Sequence, residues 1–189
     1  MKKLLPLLGT FLIVVVAVSC NRPHDWTLYE GNGCSALFPD KPTGDIQTVN
    51  TAIGELKMDI HQYEVPKLVI DDNLTYGLIE SEYPDSLINS DKKDILERFF
   101  RGSLDGAVNN VHGKLLSEKP IEIDGFPGRE ARIDFRNGLA VVTMREYLVK
   151  NKLYILQTIT ETKKDLNKSI AKFMGSFKLK HGAELKPVK

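Results

Sequence analysis

The chain has 189 residues, 42% of them hydrophobic, with 26 Lys and Arg against 25 Asp and Glu and a formal net charge of +1. That length suits one domain with a proper core. Acidic and basic residues alternate along the chain, which excludes the one-signed field that a nucleic-acid binder presents.

Lys2 and Lys3 form a short positive start, and the run from Leu4 to Val18 is apolar apart from Pro6, Gly9 and Thr10. A membrane-spanning helix needs ~20 apolar residues. This run is shorter and ends in small residues, the pattern of a cleaved secretory signal over residues 1–19. Ala17-Val18-Ser19-Cys20 resembles the lipobox of bacterial lipoproteins, with Ala17 where Leu is usual. The resemblance implies lipid attachment at Cys20: a diacylglyceryl chain pair that partners the protein with a membrane of the cell envelope, on the side facing outside the cytoplasm. Each buried CH₂ contributes ~0.8 kcal/mol, so several long chains make a lasting anchor. Residues 20–25, polar and containing Pro23, read as a tether to a folded domain over 26–180, and the Lys-rich 181–189 as a flexible tail. With Cys20 lipidated, Cys34 has no intrachain partner, and a disulfide framework is excluded.

Trp26 to Tyr29 and Cys34 to Phe38 read as two short strands around the turn Glu30-Gly31-Asn32-Gly33, the second closed by Pro39. Leu56, Met58 and Ile60 alternate with Lys57, Asp59 and His61, which predicts a half-buried strand. Leu74 to Tyr83 predicts another, ended by Pro84. A helix follows, with Ser90 as its cap and Asp91 and Asp94 at its positive end. Leu96, Phe99, Phe100, Leu104, Ala107, Val108 and Val111 share one face, and Gly113 stands where a stop belongs. Gly102 and Gly106 lower helix propensity, and their missing side chains are expected to let the helix lie close to a sheet.

Lys114 to Ile123 predicts a strand, residues 124–128 a turn, and Ala131, Ile133 and Phe135 the inward positions of the next strand. Asn137-Gly138 is expected to form a two-residue hairpin turn, since both tolerate positive φ. Strands over Leu139–Val149 and Leu153–Thr160, joined at Lys150-Asn151, complete an antiparallel meander. Thr162 to Asp165 resembles a capping box opening a helix that buries Leu166, Ile170, Phe173 and Met174. Phe177 and Leu179 close the core. The expected fold class is α/β: one domain in which a mainly antiparallel sheet, covered on both faces, carries the helices on opposite faces or at one face and an edge.

Five segments taken in order resemble the PsbP-like superfamily over roughly residues 26–180. They are Gly33-Cys34-Ser35-Ala36-Leu37-Phe38-Pro39, the strand from Tyr76 to Tyr83-Pro84, the turn Gly125-Phe126-Pro127-Gly128-Arg129-Glu130, the hairpin from Tyr147 to Tyr154, and Phe173 to Leu179. The resemblance implies an α/β/α sandwich and a role exerted through a protein surface. The superfamily includes a photosystem II extrinsic subunit and a Ran-binding import factor, neither an enzyme. The matched residues are turns and core positions, so no partner-contact residue carries over.

Chemistry-bearing patterns are few. The four His, at 24, 61, 112 and 181, lack metal-ligand spacing with one another, with Cys or with carboxylates. No nucleophile elbow, phosphate loop or dinucleotide fingerprint is present. Cys34 with His61 is the one conceivable thiol pair, and packing is the expected use of Cys34. Asp71-Asp72 reads as a solvated loop. Asn73-Leu74-Thr75 and Asn167-Lys168-Ser169 match the glycosylation pattern, which carries little weight in a bacterial lipoprotein. These observations lead to the expectation of a membrane-tethered, non-catalytic protein-binding or assembly lipoprotein, without cofactor or metal and with an unidentified protein partner. The alternative is a carrier of a small apolar ligand, in a pocket lined by aromatics such as Phe99, Phe100, Tyr147 and Tyr154.

Overall fold

Alternation of apolar and polar side chains decides which face each strand shows, and two helices cover what the strands leave apolar. The computed structural model describes residues 25–51 and 54–180. The signal segment 1–19, Cys20, the tether up to residue 24, the tail 181–189, and with them His24 and His181, lie outside the described residues.

The elements are β1 (Thr27–Glu30), β2 (Cys34–Phe38), β3 (Thr43–Thr51), β4 (Gly54–Glu64), β5 (Asn73–Glu82), α1 (Lys93–Asn110), β6 (Lys114–Ile123), β7 (Phe126–Phe135), β8 (Ala140–Val149), β9 (Lys152–Glu161), α2 (Lys168–Ser176) and β10 (Lys178–Leu179). A seven-stranded sheet runs β3-β4-β5-β9-β8-β7-β6, antiparallel at every junction. A small sheet runs β1-β2-β10, so the last strand pairs with the second. The molecule is α/β in the broad sense and dominated by antiparallel sheet.

Two cores lie on opposite faces of the large sheet. On one, Tyr76, Leu78, Tyr147, Tyr154 and Leu156 meet Ile170, Phe173 and Met174 of α2, together with Cys34, Ala36 and Phe38 of β2. On the other, Ala131, Ile133, Val142 and Met144 meet Leu104, Ala107, Val108 and Val111 of α1. Burying each large side chain contributes ~1.5–3 kcal/mol. Phe38, Tyr76 and Phe173 form edge-to-face pairs at the centre of the first core. The small sheet shares the α2 layer, a feature the sequence reading does not contain.

Several local expectations are corrected. Ser90 does not cap α1: the cap position is Lys92, with no side-chain bond, and the buried Ser90 accepts instead from the Lys150 N–H. Gly102 and Gly106 face open space, so neither brings α1 closer to the sheet. Gly113 does mark the helix end, because a Cβ there would collide with the Asp134 carbonyl of β7. The turn at 124–128 is only Asp124-Gly125, both at positive φ; Phe126, Pro127 and Gly128 already belong to β7. Phe135 pairs with Ala140, so the β7–β8 loop has four residues, Arg136 to Leu139, and Asn137-Gly138 is not a two-residue hairpin. Thr162 opens a 3₁₀ turn instead of α2. The true cap is Asn167, whose Oδ1 accepts from the Ile170 N–H at 2.9 Å, and Leu166 is 71% exposed. Strand β3 goes unread in the sequence because Thr43 to Thr48 is exposed on both faces, which leaves no apolar alternation to find.

Candidate functional site

Strand parity carries three charged side chains inward. On β5, Tyr76, Leu78 and Glu80 share a face, so Glu80 follows two core residues into the protein and is 9% exposed. On β9, Lys152 is in phase with Tyr154 and Leu156 and is 4% exposed. Glu146 of β8, in phase with Met144 and Leu148, lies on the opposite face.

Glu80 and Lys152 form the floor of a cleft of about 330 Å³. Asp59 and Lys57 of β4, Ile46 of β3 and Asn32 of the β1–β2 turn wall it. The Lys152 ammonium lies 3.7 Å from the Glu82 carboxylate. Behind the floor, the Cys34 thiol donates to Glu80 Oε1 at 3.3 Å. Burial, then the Glu80 charge and this hydrogen bond, push the Cys34 thiol far above its ordinary pKa. Glu80 is likewise raised, first by burial and then by Asp59, with Cys34, His61 and Lys152 opposing. The Tyr29 hydroxyl is raised by burial and by Glu80.

Gly31 covers this cluster. A Cβ there would stand 2.5 Å from Glu80 Oε1 and 3.1 Å from the Cys34 sulfur. Its backbone is fastened on both sides: the Gly31 N–H donates to the Cys34 carbonyl, and the Lys180 ammonium to the Gly31 carbonyl at 3.3 Å. Gly31-Asn32-Gly33 thus acts as a cover over buried polar groups. His61 lies against Tyr29 with ring centroids 4.3 Å apart and the planes tilted by 37°, and its Nε2 lies 2.9 Å from Asp59 Oδ1, aligned too poorly for a hydrogen bond. The thiol donates its hydrogen bond to the Glu80 carboxyl group and not to the imidazole. A thiol held protonated beside a carboxyl group is the reverse of an activated nucleophile.

A second polar cluster lies under α1. Ser103 donates to Glu146 Oε2 at 2.5 Å, while Glu146 Oε1 is buried without a hydrogen-bond partner. Burial raises the Glu146 carboxyl to about 7, against the Ser103 hydrogen bond and the Arg129 charge. Arg129 lies over the Phe100 ring at 5.0 Å and pairs with Glu97 and Glu118.

The remaining candidates resolve into structure. His112 ends α1 at φ 48°, exposed. Asp71 accepts the Tyr76 hydroxyl at 2.9 Å and is therefore part of the core's polar edge and not a purely solvated loop. Asn73 is 1% exposed: it donates to the Tyr76 hydroxyl, accepts from Thr160 and Asn167, and so joins β5, β9 and the start of α2. Phe99 packs on Tyr83 and Phe100, and Tyr147 and Tyr154 on Phe177. Among the described residues, no group of three or more His, Cys, Asp or Glu is placed to hold a metal ion. No helix among them is long and apolar enough to cross a membrane.

No family model and no curated protein matches the chain. The solution structure of cyanobacterial PsbP (CyanoP) from Synechocystis sp. PCC 6803 is similar to it at 18% identity, with a TM-score of 0.50, over 92% of this chain and 99% of that one. Nearly full coverage in both directions, at an identity too low to carry function, shows that this chain has a PsbP-like fold.

Proposed function

We propose that this protein is a membrane-tethered, non-catalytic binding or assembly lipoprotein, held at the outer side of a cell-envelope membrane through lipid on Cys20. The observation that supports this most is the state of Cys34. The one thiol of the described domain is fully buried, bonded to a carboxyl group and pushed toward its neutral form. The α/β/α reading, with a helix layer on either side of the sheet, fits the two separate cores and leaves binding to surfaces and to the cleft. A carrier of a small apolar ligand has less support. The aromatics named for such a pocket pack against neighbouring rings, Phe99 on Tyr83 and Phe100 and both Tyr147 and Tyr154 on Phe177, and the cleft is walled by charge.

The test is a complementation assay in the native organism with separate variants. Cys34→Ala, His61→Ala and the double variant are expected to retain function, and Cys20→Ser to release the protein from the membrane and lose it. Intact mass of the membrane-extracted protein should show a diacylglyceryl-Cys N-terminus. A folded, localised Cys34→Ala protein without function would falsify the non-catalytic reading.

A further inference from the structure

The two sheets have four outer strands, and they are not alike. In the small sheet β1 has four residues and β10 two, too short to recruit another strand. At one side of the large sheet, β6 carries Lys114, Lys119 and Pro120 and a register shift between Leu115 and Ser117. Those are the devices that blunt an edge against pairing. At the other side, β3 has nine residues, Thr43–Thr51, with no proline, no lysine and an unbroken register against β4. Its one charged residue is Asp45, and Ile46 is 58% exposed at the cleft's outer rim.

We propose that β3 is a self-association edge, on which a second copy of this chain adds its own β3 in antiparallel register about a two-fold axis at Ile46. Side-chain complementarity selects both occupant and register. A two-fold perpendicular to the sheet keeps like faces together, so opposed positions must share parity. Centring on Asp45 would set two carboxylates against each other. Centring on Ile46 sets Ile46 against its mate on the cleft face, and Asp45 against the partner's Gln47 on the other face. The acceptor–donor match of that second pair exists within the strand, where the Gln47 amide donates to Asp45 at 3.1 Å. Thr43 then stands opposite Val49, and the two seven-stranded sheets become one continuous sheet. The mate's Ile46 closes the outer rim of each cleft, so the second copy completes the site. Directly opposed apolar pairs stabilise such a ladder and opposed like charges destabilise it.

The experiment is sedimentation of the full chain in density-matched detergent at micromolar concentration, with wild type and three exposed-strand variants. Wild type is expected at twice the single-chain mass. Ile46→Lys should place two cations on the axis and raise the dimer dissociation constant by about tenfold or more. Gln47→Asp should weaken the dimer, by setting carboxylates opposite Asp45, and Gln47→Lys should tighten it. Circular dichroism of each variant confirms that the fold is kept. Oxidation of Ile46→Cys should join two chains through the introduced thiols, identified by peptide mass. A wild-type chain that stays monomeric overturns the proposal, as does a dimer that Ile46→Lys leaves intact. Gln47→Asp and Gln47→Lys acting in the same direction overturn the register.

Discussion

Asn73 shows how much one side chain can carry. Its amide meets Tyr76, Thr160 and Asn167 on three elements, in a site closed to water. Removing it takes from the buried Thr160 hydroxyl its acceptor, at ~1–3 kcal/mol, and costs Tyr76 and Asn167 one hydrogen bond each, although they keep Asp71 and the Lys164 carbonyl. Asn73→Ala should therefore destabilise the domain by at least about 2 kcal/mol, read as a lowered urea midpoint at unchanged slope. Both Asn residues of the glycosylation patterns are committed in this way, one to the network and one to the α2 cap. Cys34 gives a second residue-scale expectation. Iodoacetamide should modify it slowly in the native protein and rapidly in urea, since the thiol is buried and held neutral. Equal rates in both states would show that the Gly31 cover is open. The buried charges were legible in principle: Glu80, Glu146 and Lys152 each fall in phase with apolar neighbours on a strand. Counting them as polar interruptions hides them, because period-two reading is applied to what is apolar.

At the scale of elements, strands β4 to β9 follow from alternation and turn residues, and α1 from its apolar stripe. What the sequence leaves unread is where chemistry has alternatives. Ser90, Thr162 and Asn167 are all acceptable caps, and only the packed sheet decides that Ser90 bonds the β8–β9 turn while Asn167 takes the helix. Asn167→Ala should cost about 1 kcal/mol, while Thr162→Ala should not fray α2; hydrogen exchange of the Ile170 amide distinguishes the two. The β7–β8 loop is longer than Asn-Gly suggests, with Arg136, Asn137 and Gly138 all at positive φ. Gly138, at φ 85°, still has a conformation that a β-branched residue resists. Gly138→Val should destabilise by ~1–3 kcal/mol in thermal unfolding. An unchanged midpoint would mean that the loop relaxes into another turn.

For the whole molecule, the buried carboxyls set a pH dependence. Glu146 has a folded pKa raised to about 7, so the folded state binds its proton more tightly than the unfolded chain does. The penalty is absent below the ordinary carboxylate range, grows as pH rises toward 7, and is complete above it. Glu80 is shifted in the same direction. Stability should therefore fall from pH 5 to pH 7.5, by up to about 3 kcal/mol for Glu146. The groups facing Glu146 are Ser103 of α1, Arg129 of β7, Glu118 of β6 and Tyr83. Glu146→Gln should flatten the slope across that window in urea titrations; a slope left as steep would assign the dependence elsewhere.

The pairing of β10 with β2 has a consequence for the order in which the chain can fold. A third of the larger core, namely Ile170, Phe173, Met174 and Phe177, is encoded in the last stretch of the domain, and its partners Cys34, Ala36 and Phe38 in the first. Contacts of such long sequence separation form late, because loop closure must precede them. A nascent chain that has not yet released α2 from the ribosome holds β2 without the helix and the last strand that pack on it. The domain therefore stays open until α2 and β10 have been released, the state in which a chain can still be handled as an extended thread. Chains stopped before Lys168 should show no cooperative unfolding transition, and adding residues through Leu179 should restore it in a single step.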